Sequence, residues 1–198
     1  IGTDNVDAGR KAAEQIKKAL PQGGEIAVFV GKLDVANARE RYQGVAEALM
    51  GSNCEIVGVF TDQADRTMAQ SNVRAVMAKY PNLKGIVGLW GYNAPAAVMA
   101  LRDHPAHDVK IVGFDEDIET LEAIRHGQIF CSIAQNPYEF GYQSIKLLAR
   151  LHRKEPVEIP GDKMIFVPVR VVTRENVDEI EMDINSRLST LERKIKNF

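Results

Sequence analysis

Short apolar runs alternate with amphipathic stretches along most of the chain. Six runs rich in β-branched residues predict strands, and each of the first five is followed by a stretch with apolar positions at helical spacing. The predicted strands span residues 25–31, 55–60, 85–90, 109–114, 128–134 and 164–173, and the predicted helices span residues 5–20, 38–50, 66–79, 94–103, 118–126 and 138–153.

The order of these elements predicts the fold class. Strands that alternate with helices form βαβ units, in which crossover helices join parallel strands. The predicted strands are continuously apolar rather than alternating, as in sheets covered on both faces. We therefore expect an α/β fold with a doubly wound, mostly parallel sheet and helices on both of its faces.

The C-terminal stretch has a different pattern. Ile184, Leu188, Leu191 and Ile195 recur at helical spacing among charged residues, which predicts an amphipathic helix within residues 176–198. This helix either packs on its own domain or forms a short coiled-coil seam with a partner or a second copy. Two heptads without further support are marginal.

Composition excludes several classes of protein. The chain of 198 residues, 45% hydrophobic and 26% charged, is long enough for one substantial soluble domain. A net charge of -2 gives no basic footprint for nucleic acid. No apolar run approaches the roughly 18 residues of a membrane helix. Cys54 and Cys131 form neither a disulfide framework nor a metal knuckle, and two buried thiols are favoured over one disulfide.

Candidate binding residues follow the predicted strands. In open α/β sheets, ligands bind in the crevice beyond the carboxyl ends of the strands. Trp90, Asp115 and Gln135 follow the third, fourth and fifth strands, and Arg39 opens the helix after the first. A carboxylate accepts from sugar hydroxyls, a guanidinium donates to them, an amide does both, and an indole stacks on the C–H face of a ring. This set points to a sugar.

Each of these residues also has a purely structural interpretation. Trp90 could belong to the core, and Asp115 could cap the following helix. Arg39 could pair with a nearby carboxylate, and Gln135 could satisfy a backbone group at the sheet edge.

Signatures of catalysis and of metal binding are weak. The chain has no G-x-S-x-G elbow, no G-x-x-x-x-G-K-[ST] loop and no G-x-G-x-x-G after a strand. His104 and His107 lie in the segment DHPAHD, but this loop is far from the predicted strand ends and lacks further ligands. We therefore expect a binding protein rather than an enzyme, with no metal and no cofactor.

Several segments resemble the ribose-binding-protein group of periplasmic binding proteins, which are relatives of LacI-type regulators. The resemblance implies that Arg39, Asp115 and Gln135 bind sugar hydroxyls. It runs from residue 1 to about residue 180 and rests on TDNVDAGRKAAEQI (3–16), NARERYQGVAEAL (37–49), IVGFDED (111–117), GQIFCSIAQNPYEFGYQSI (127–145) and VTRENVDE (172–179).

Two positions depart from the family pattern. Trp90 stands where many members have a polar amide, which suggests a ligand other than ribose or a ring held by stacking. The family's loop aromatic falls near Ala64, which cannot stack, and we expect Gln63 to replace it with a hydrogen bond.

The family fold has two lobes joined by three crossing segments, with the sugar between them. By this resemblance, residues 1–135 form the C-terminal ligand-binding lobe, and residues 136–163 belong to an otherwise missing N-terminal lobe. Residues 164–175 form the return strand, and residues 176–198 form the C-terminal helix. The chain has no initiating Met and no signal peptide, and it begins as if at a strand end, so we expect a fragment of a longer protein.

The resulting hypothesis is a monosaccharide-binding component of an ABC-type importer, periplasmic or otherwise extracytoplasmic, with a permease as partner and no nucleic acid bound by this segment. One alternative is the effector-binding core of a LacI-type regulator, which the segment IAQNPYEFGYQSI disfavours. Another is a sugar-sensing lobe of a receptor or kinase, suggested only by the C-terminal pattern. We also expect the apolar face of the 138–153 helix to be covered, by folding back or by a homodimer through this helix or the C-terminal one.

Overall fold

Strands and helices alternate throughout the structure, a computed structural model that describes the backbone of residues 1–102 and 108–196 and the side chains of residues 1–102 and 108–190. The predicted fold class is confirmed. In chain order the elements are α1 (Asn5–Ala19), β1 (Gly24–Val30), α2 (Ala36–Leu49), β2 (Cys54–Thr61), α3 (Arg66–Lys79), β3 (Leu83–Gly88), α4 (Asn93–Leu101), β4 (Lys110–Phe114), α5 (Ile118–Arg125), β5 (Cys131–Ala134), α6 (Pro137–His152), β6 (Arg170–Val172) and α7 (Val177–Lys196).

These strands form one sheet in the order β2-β1-β3-β4-β5-β6. The pairs from β2 to β5 are parallel, and β6 is antiparallel to β5, with Val171 opposite Ile133. From β1 the chain runs outward to β2 and then crosses back to β3 on the other side. The switch point of the topology, where ligands bind in such sheets, therefore lies between β1 and β3.

Two strands are shorter than their apolar runs predicted. The first residues of the 128–134 run form a turn, in which the Gln128 N–H donates to the Ala123 carbonyl (2.8 Å). In the 164–173 run, Pro168 has no N–H for a ladder, and only residues 170–172 form the strand.

Helices cover both faces of the sheet, as the uninterrupted apolar strands predicted. Side chains of β1 alternate between the two faces. Ala27 and Phe29 pack with α3, α4, α5 and α7, whereas Ile26, Val28 and Val30 pack with α1 and α2. Both Cys54 and Cys131 are buried and free.

Helices α1 and α2 cross with their backbones in near contact. A Cβ added to Gly9 would lie 2.1 Å from the Arg41 carbonyl oxygen, and a Cβ added to Gly44 would lie 2.0 Å from the Val6 carbonyl oxygen. Only glycine permits this approach at either position. Because the two helices lie so close, Arg41 on α2 is almost completely buried, with 2% of its surface exposed.

The N-terminal half of α7 packs on its own domain, which is the first of the two interpretations of this helix. Val177 and Ile180 are buried, Ile184 packs against the core, and Leu188 is exposed. The side chains of Leu191 and Ile195 and the segment with His104 and His107 lie outside the described residues. No described helix has the length and apolar character needed to span a membrane.

Helix α6 buries none of its residues. On its apolar face, Ile145, Leu148 and Leu151 are 68%, 59% and 45% exposed, whereas Phe140 and Leu147 are partly buried. The expectation that this face folds back onto the chain is therefore wrong for Ile145, Leu148 and Leu151. The alternative expectation, that another polypeptide covers the exposed face of α6, stays a prediction.

We predict that Gly9→Ala lowers the free energy of unfolding by about 1–3 kcal/mol, because the new methyl group must push α1 away from α2. Urea unfolding would measure the change. Gly161→Ala is the control, since a Cβ there meets nothing within 4 Å, and its effect should stay below about 0.5 kcal/mol. Equal effects for the two variants would contradict the role assigned to the crossing.

Candidate functional site

Asp115 follows β4 directly and has a strained backbone. Its φ of 64° lies in the left-handed region, which costs a non-glycine residue of order 1–3 kcal/mol. Two contacts with β5 hold it there. The Asp115 N–H donates to the Ile133 carbonyl (3.0 Å), and its own carbonyl accepts from Ser132 Oγ (2.6 Å). Asp117, not Asp115, immediately precedes α5, so the capping interpretation does not apply.

Gln135 joins Asp115 to the beginning of the chain. Gln135 Nε2 donates to Asp115 Oδ1 (2.7 Å), and Thr3 Oγ1 donates to Gln135 Oε1 (2.9 Å). The structure thus brings together two of the residues selected from the strand ends and adds Thr3. That they bind a ligand stays a prediction.

The structure favours Arg41 over Arg39 as the arginine of this group. Arg39 is exposed, and its Nη1 donates to the Asp34 carbonyl (2.9 Å). A helix turns about 100° per residue, so side chains two positions apart point to nearly opposite sides. Arg41 consequently faces inward, where its guanidinium lies 4.4 Å from the centre of the Phe114 ring, next to Asp115.

Two elements hold the Arg41 guanidinium through hydrogen bonds. Nη1 donates to the Leu89 carbonyl at the end of β3 (2.7 Å), and Nε donates to Asn5 Oδ1 at the start of α1 (3.1 Å). Burial lowers the pKa of Arg41, and the negative charge of Asp115 partly offsets this. Sequence periodicity contained the signal for this residue, because Arg41 lies at i+3 from buried Ala38 and at i−4 from buried Val45.

Trp90 is partly buried and packs between the strand ends. Its Nε1 donates to Asn37 Oδ1 (3.3 Å), and its ring meets that of Tyr92 edge-on, with centroids 6.4 Å apart. The next residue, Gly91, is adjacent to Asp115, because an added Cβ would lie 3.2 Å from Asp115 Oδ2. The loop of Trp90 therefore adjoins the Asp115 group, and the indole also packs on the core.

Gln63 lies apart from this group. Its side chain is exposed, and its N–H donates to the Gly31 carbonyl (2.9 Å). The preceding residue, Asp62, is fully buried and bonded to Tyr92 and Asn93. Sequence analysis did not select Asp62, since an acidic residue after a strand is equally typical of an exposed loop.

A cavity of about 360 Å³ opens beside Asp115. Its walls come from the ends of β4 and β5 and from the start of α6, and consist of Asp115, Glu116, Asp117, Gln135, Pro137 and Phe140. A larger cavity, of about 690 Å³, lies between α3, α4 and α5. We place the candidate site at the smaller one, because it adjoins the Arg41–Asp115–Gln135 group at the strand ends. Among residues whose side chains are described, none form a group of three or more His, Cys, Asp or Glu placed to hold a metal ion.

Comparison with known proteins identifies a family. A model described as a periplasmic binding protein domain matches residues 1–156. The chain is 31% identical over 166 residues to the D-allose-binding periplasmic protein of Escherichia coli strain K12, covering 82% of this chain and 53% of that protein. It is 25% identical over 158 residues to the ribose import binding protein of Salmonella typhimurium strain LT2, covering 80% and 53%. The chain thus spans about half the length of these curated relatives.

Solved structures share the fold. A sugar ABC transporter (sugar-binding protein) from Bacillus halodurans has a TM-score of 0.80 and 29% identity, covering 90% of this chain and 65% of that one. An ABC transporter solute-binding protein from Burkholderia graminis C4D1M, in complex with D-arabinose, has a TM-score of 0.81 and 30% identity, covering 89% and 62%.

We predict that Glu116 makes the protein less stable as pH rises through the acidic range. Burial and the neighbouring charge of Asp115 raise the pKa of Glu116 to about 7, against an opposing effect of Arg170. Between the ordinary pKa of a glutamate and about 7, the folded state then binds more protons than the unfolded state, so stability falls as pH rises and levels off above that window.

Glu116→Gln should remove this dependence. Relative to the unsubstituted protein, the variant should gain about 1–3 kcal/mol between pH 4 and pH 8, measured by urea unfolding across the range. Glu179→Gln, on the exposed side of α7, is the control. A difference between variant and parent that stays constant with pH would contradict the assignment.

Proposed function

We propose that this chain, which belongs to the periplasmic binding protein domain family, binds a monosaccharide as the solute-binding component of an ABC-type importer. The observation that carries the proposal is the Arg41–Asp115–Gln135 group at the carboxyl ends of the strands, beside Trp90. The relatives named for ribose and allose, and the neighbour solved with D-arabinose, support a sugar over other polar ligands.

Each member of the group supplies a different part of sugar recognition. The Asp115 carboxylate accepts hydrogen bonds from ligand hydroxyls, and Gln135 can both donate and accept. Arg41 carries five N–H donors, of which contacts to Asn5 and Leu89 account for two. Trp90 offers an aromatic surface to the C–H side of a sugar ring. Gln63 remains a candidate contact from the rim.

The relatives also bear on the class of protein. Those described above are named for binding or import rather than for catalysis or regulation, which favours an importer component over an enzyme or a LacI-type regulator. One of them is named as periplasmic, which supports a location outside the cytoplasm. The corresponding partner is an importer permease.

We assign residues 1–135 to a C-terminal lobe, residues 136–163 to a second lobe, residues 164–175 to the return strand and residues 176–198 to the C-terminal helix. Two observations support the second lobe. The apolar face of α6 is largely exposed in this chain, and the match covers only about half of the length of the relatives. The cavity beside Asp115 is also lined on one side by Pro137 and Phe140 of α6, so a second lobe built on α6 would close it.

We predict that the full-length protein binds a sugar such as D-ribose, D-allose or D-arabinose, and that Asp115→Ala weakens binding by roughly 30-fold to 1,000-fold. This corresponds to about 2–4 kcal/mol for lost charge-assisted hydrogen bonds. Titration calorimetry with a monosaccharide panel measures both. Absence of binding across the panel, or an unchanged dissociation constant in a folded Asp115→Ala protein, would contradict the proposal.

The neighbouring arginines provide a matched control. Arg41→Ala should weaken binding at least as much as Asp115→Ala, whereas Arg39→Ala should leave it within about twofold, because that side chain points to Asp34. The reverse result would restore Arg39 as the ligand residue.

We predict that the 198-residue chain alone covers α6 by self-association. Burying each large apolar side chain contributes about 1.5–3 kcal/mol, so sedimentation velocity should detect dimers or larger species that Ile145→Lys with Leu148→Lys abolishes. Met50→Lys is the control, because Met50 directly follows α2 and is 81% exposed.

The 198-residue chain supplies only one side of the proposed cleft, so its affinity for sugar should be only about millimolar. A monomer, or micromolar sugar binding by this chain alone, would contradict the two-lobe assignment.

A further inference from the structure

Asp62 is a buried carboxylate that lies behind the proposed sugar site. It follows β2 and is 0% exposed. Its Oδ1 accepts from Tyr92 Oη and from the Ala64 N–H (3.0 Å), and its Oδ2 accepts from Asn93 Nδ2 (2.9 Å). All three donors are neutral groups. Burial raises the pKa of Asp62, and the hydrogen bond from Tyr92 opposes this.

A buried charge held only by neutral donors is unfavourable unless the surrounding structure satisfies it fully. Two of the three donors, Tyr92 and Asn93, lie at the start of α4, directly after Trp90 and Gly91. Asn93 is 1% exposed, and its Oδ1 accepts from the Trp90 N–H (3.0 Å). The Tyr92 ring meets the Trp90 ring at 68°. Asp62 therefore restrains Trp90 by two routes, through its backbone and through the edge of its ring.

The end of β1 supplies two further restraints on the indole. A Cβ added to Gly31 would lie 2.0 Å from Trp90 Cζ3 and 2.8 Å from Tyr92 Oη, so both aromatic side chains pack directly on this glycine. Trp90 Nε1 is engaged by Asn37. The polar hydrogens of Trp90 and Tyr92 are thus committed within the protein, and the two rings present carbon surface.

We infer that Asp62 is a positioning residue, which acts through Tyr92 and Asn93 to fix Trp90 as a rigid carbon wall of the sugar site. The inference rests on the proposed function. A wall that is already ordered loses little rotamer freedom when ligand binds. A sugar hydroxyl directed at this wall would lose its hydrogen bonds to water without replacement. The site should therefore select sugars whose C–H face meets Trp90.

A first test needs no ligand. Trp90 is the single tryptophan of the chain, so fluorescence reports on it alone. Tyr92→Phe keeps the ring but removes a donor from Asp62, and should raise the acrylamide quenching constant of Trp90 about twofold with unchanged circular dichroism. Asp62→Asn should act in the same direction. Tyr80→Phe is the matched control, because Tyr80 Oη donates only a long bond to the Val57 carbonyl (3.4 Å), and it should leave quenching unchanged.

A second test uses D-ribose and D-arabinose, which differ in configuration at one carbon, together with D-allose. In the full-length protein, Tyr92→Phe should weaken binding of the preferred sugar about tenfold and bring the affinity ratio between D-ribose and D-arabinose nearer to one. Unchanged quenching would overturn the inference. Increased quenching with unchanged affinities and ratio would overturn its link to sugar selection. If the unsubstituted protein binds no sugar, the proposed function fails, and the quenching result still decides whether Asp62 positions Trp90.

Discussion

The site depends on the contacts made by the buried guanidinium of Arg41. Arg41 is only 2% exposed, and its guanidinium bonds to Asn5 at the start of α1 and to Leu89 at the end of β3, and it packs on the Phe114 ring at the end of β4, where the charge of Asp115 acts on it. A charge in this position is tolerable only when each of its partners is in place. The close crossing of α1 on α2 supplies that condition, because it delivers Arg41 to the edge of the sheet.

Two surfaces of different chemistry lie near each other at this edge, because Gly91, between Trp90 and Tyr92, adjoins Asp115. Asp115 and Gln135 line the cavity and are hydrogen-bonded to each other. Ligand groups can replace this hydrogen bond or add further bonds to either side chain. The surface of Trp90 and Tyr92 commits its polar hydrogens to Asn37 and Asp62. A sugar ring has the same asymmetry, with hydroxyls around its rim and C–H groups on a face. The two surfaces together are therefore suited to orient a ring, which either alone would not do.

Much of the fold, but only part of the site, could be predicted from the sequence. Uninterrupted apolar runs separated by helical periods define parallel strands, and the strand ends then select Asp115 and Gln135 without further information. Arg41 was missed because Arg39 and Arg41 are chemically identical, and only the helical phase relative to Ala38 and Val45 separates them. Asp62 could not be selected at all, since its two side-chain donors, Tyr92 and Asn93, lie at the start of α4, far from Asp62 in the sequence.

The bond between Thr3 and Gln135 links the site to the segments that lead toward α6. Gln135 stands two residues before that helix, and Thr3 follows Gly2, whose N–H and carbonyl bond to Ile165 and Val167 at 3.0 and 2.8 Å. Any rotation of α6 relative to the sheet must change the backbone angles of these few connecting segments. Gln135 also bonds to Asp115. The carboxylate proposed to bind the sugar is therefore linked to the backbone segment that leads into α6, the helix assigned to the proposed second lobe. If the proposed second lobe leaves along α6, a ligand that bonds to both side chains would favour one angle between the lobes over others, so closure and recognition would depend on the same two residues.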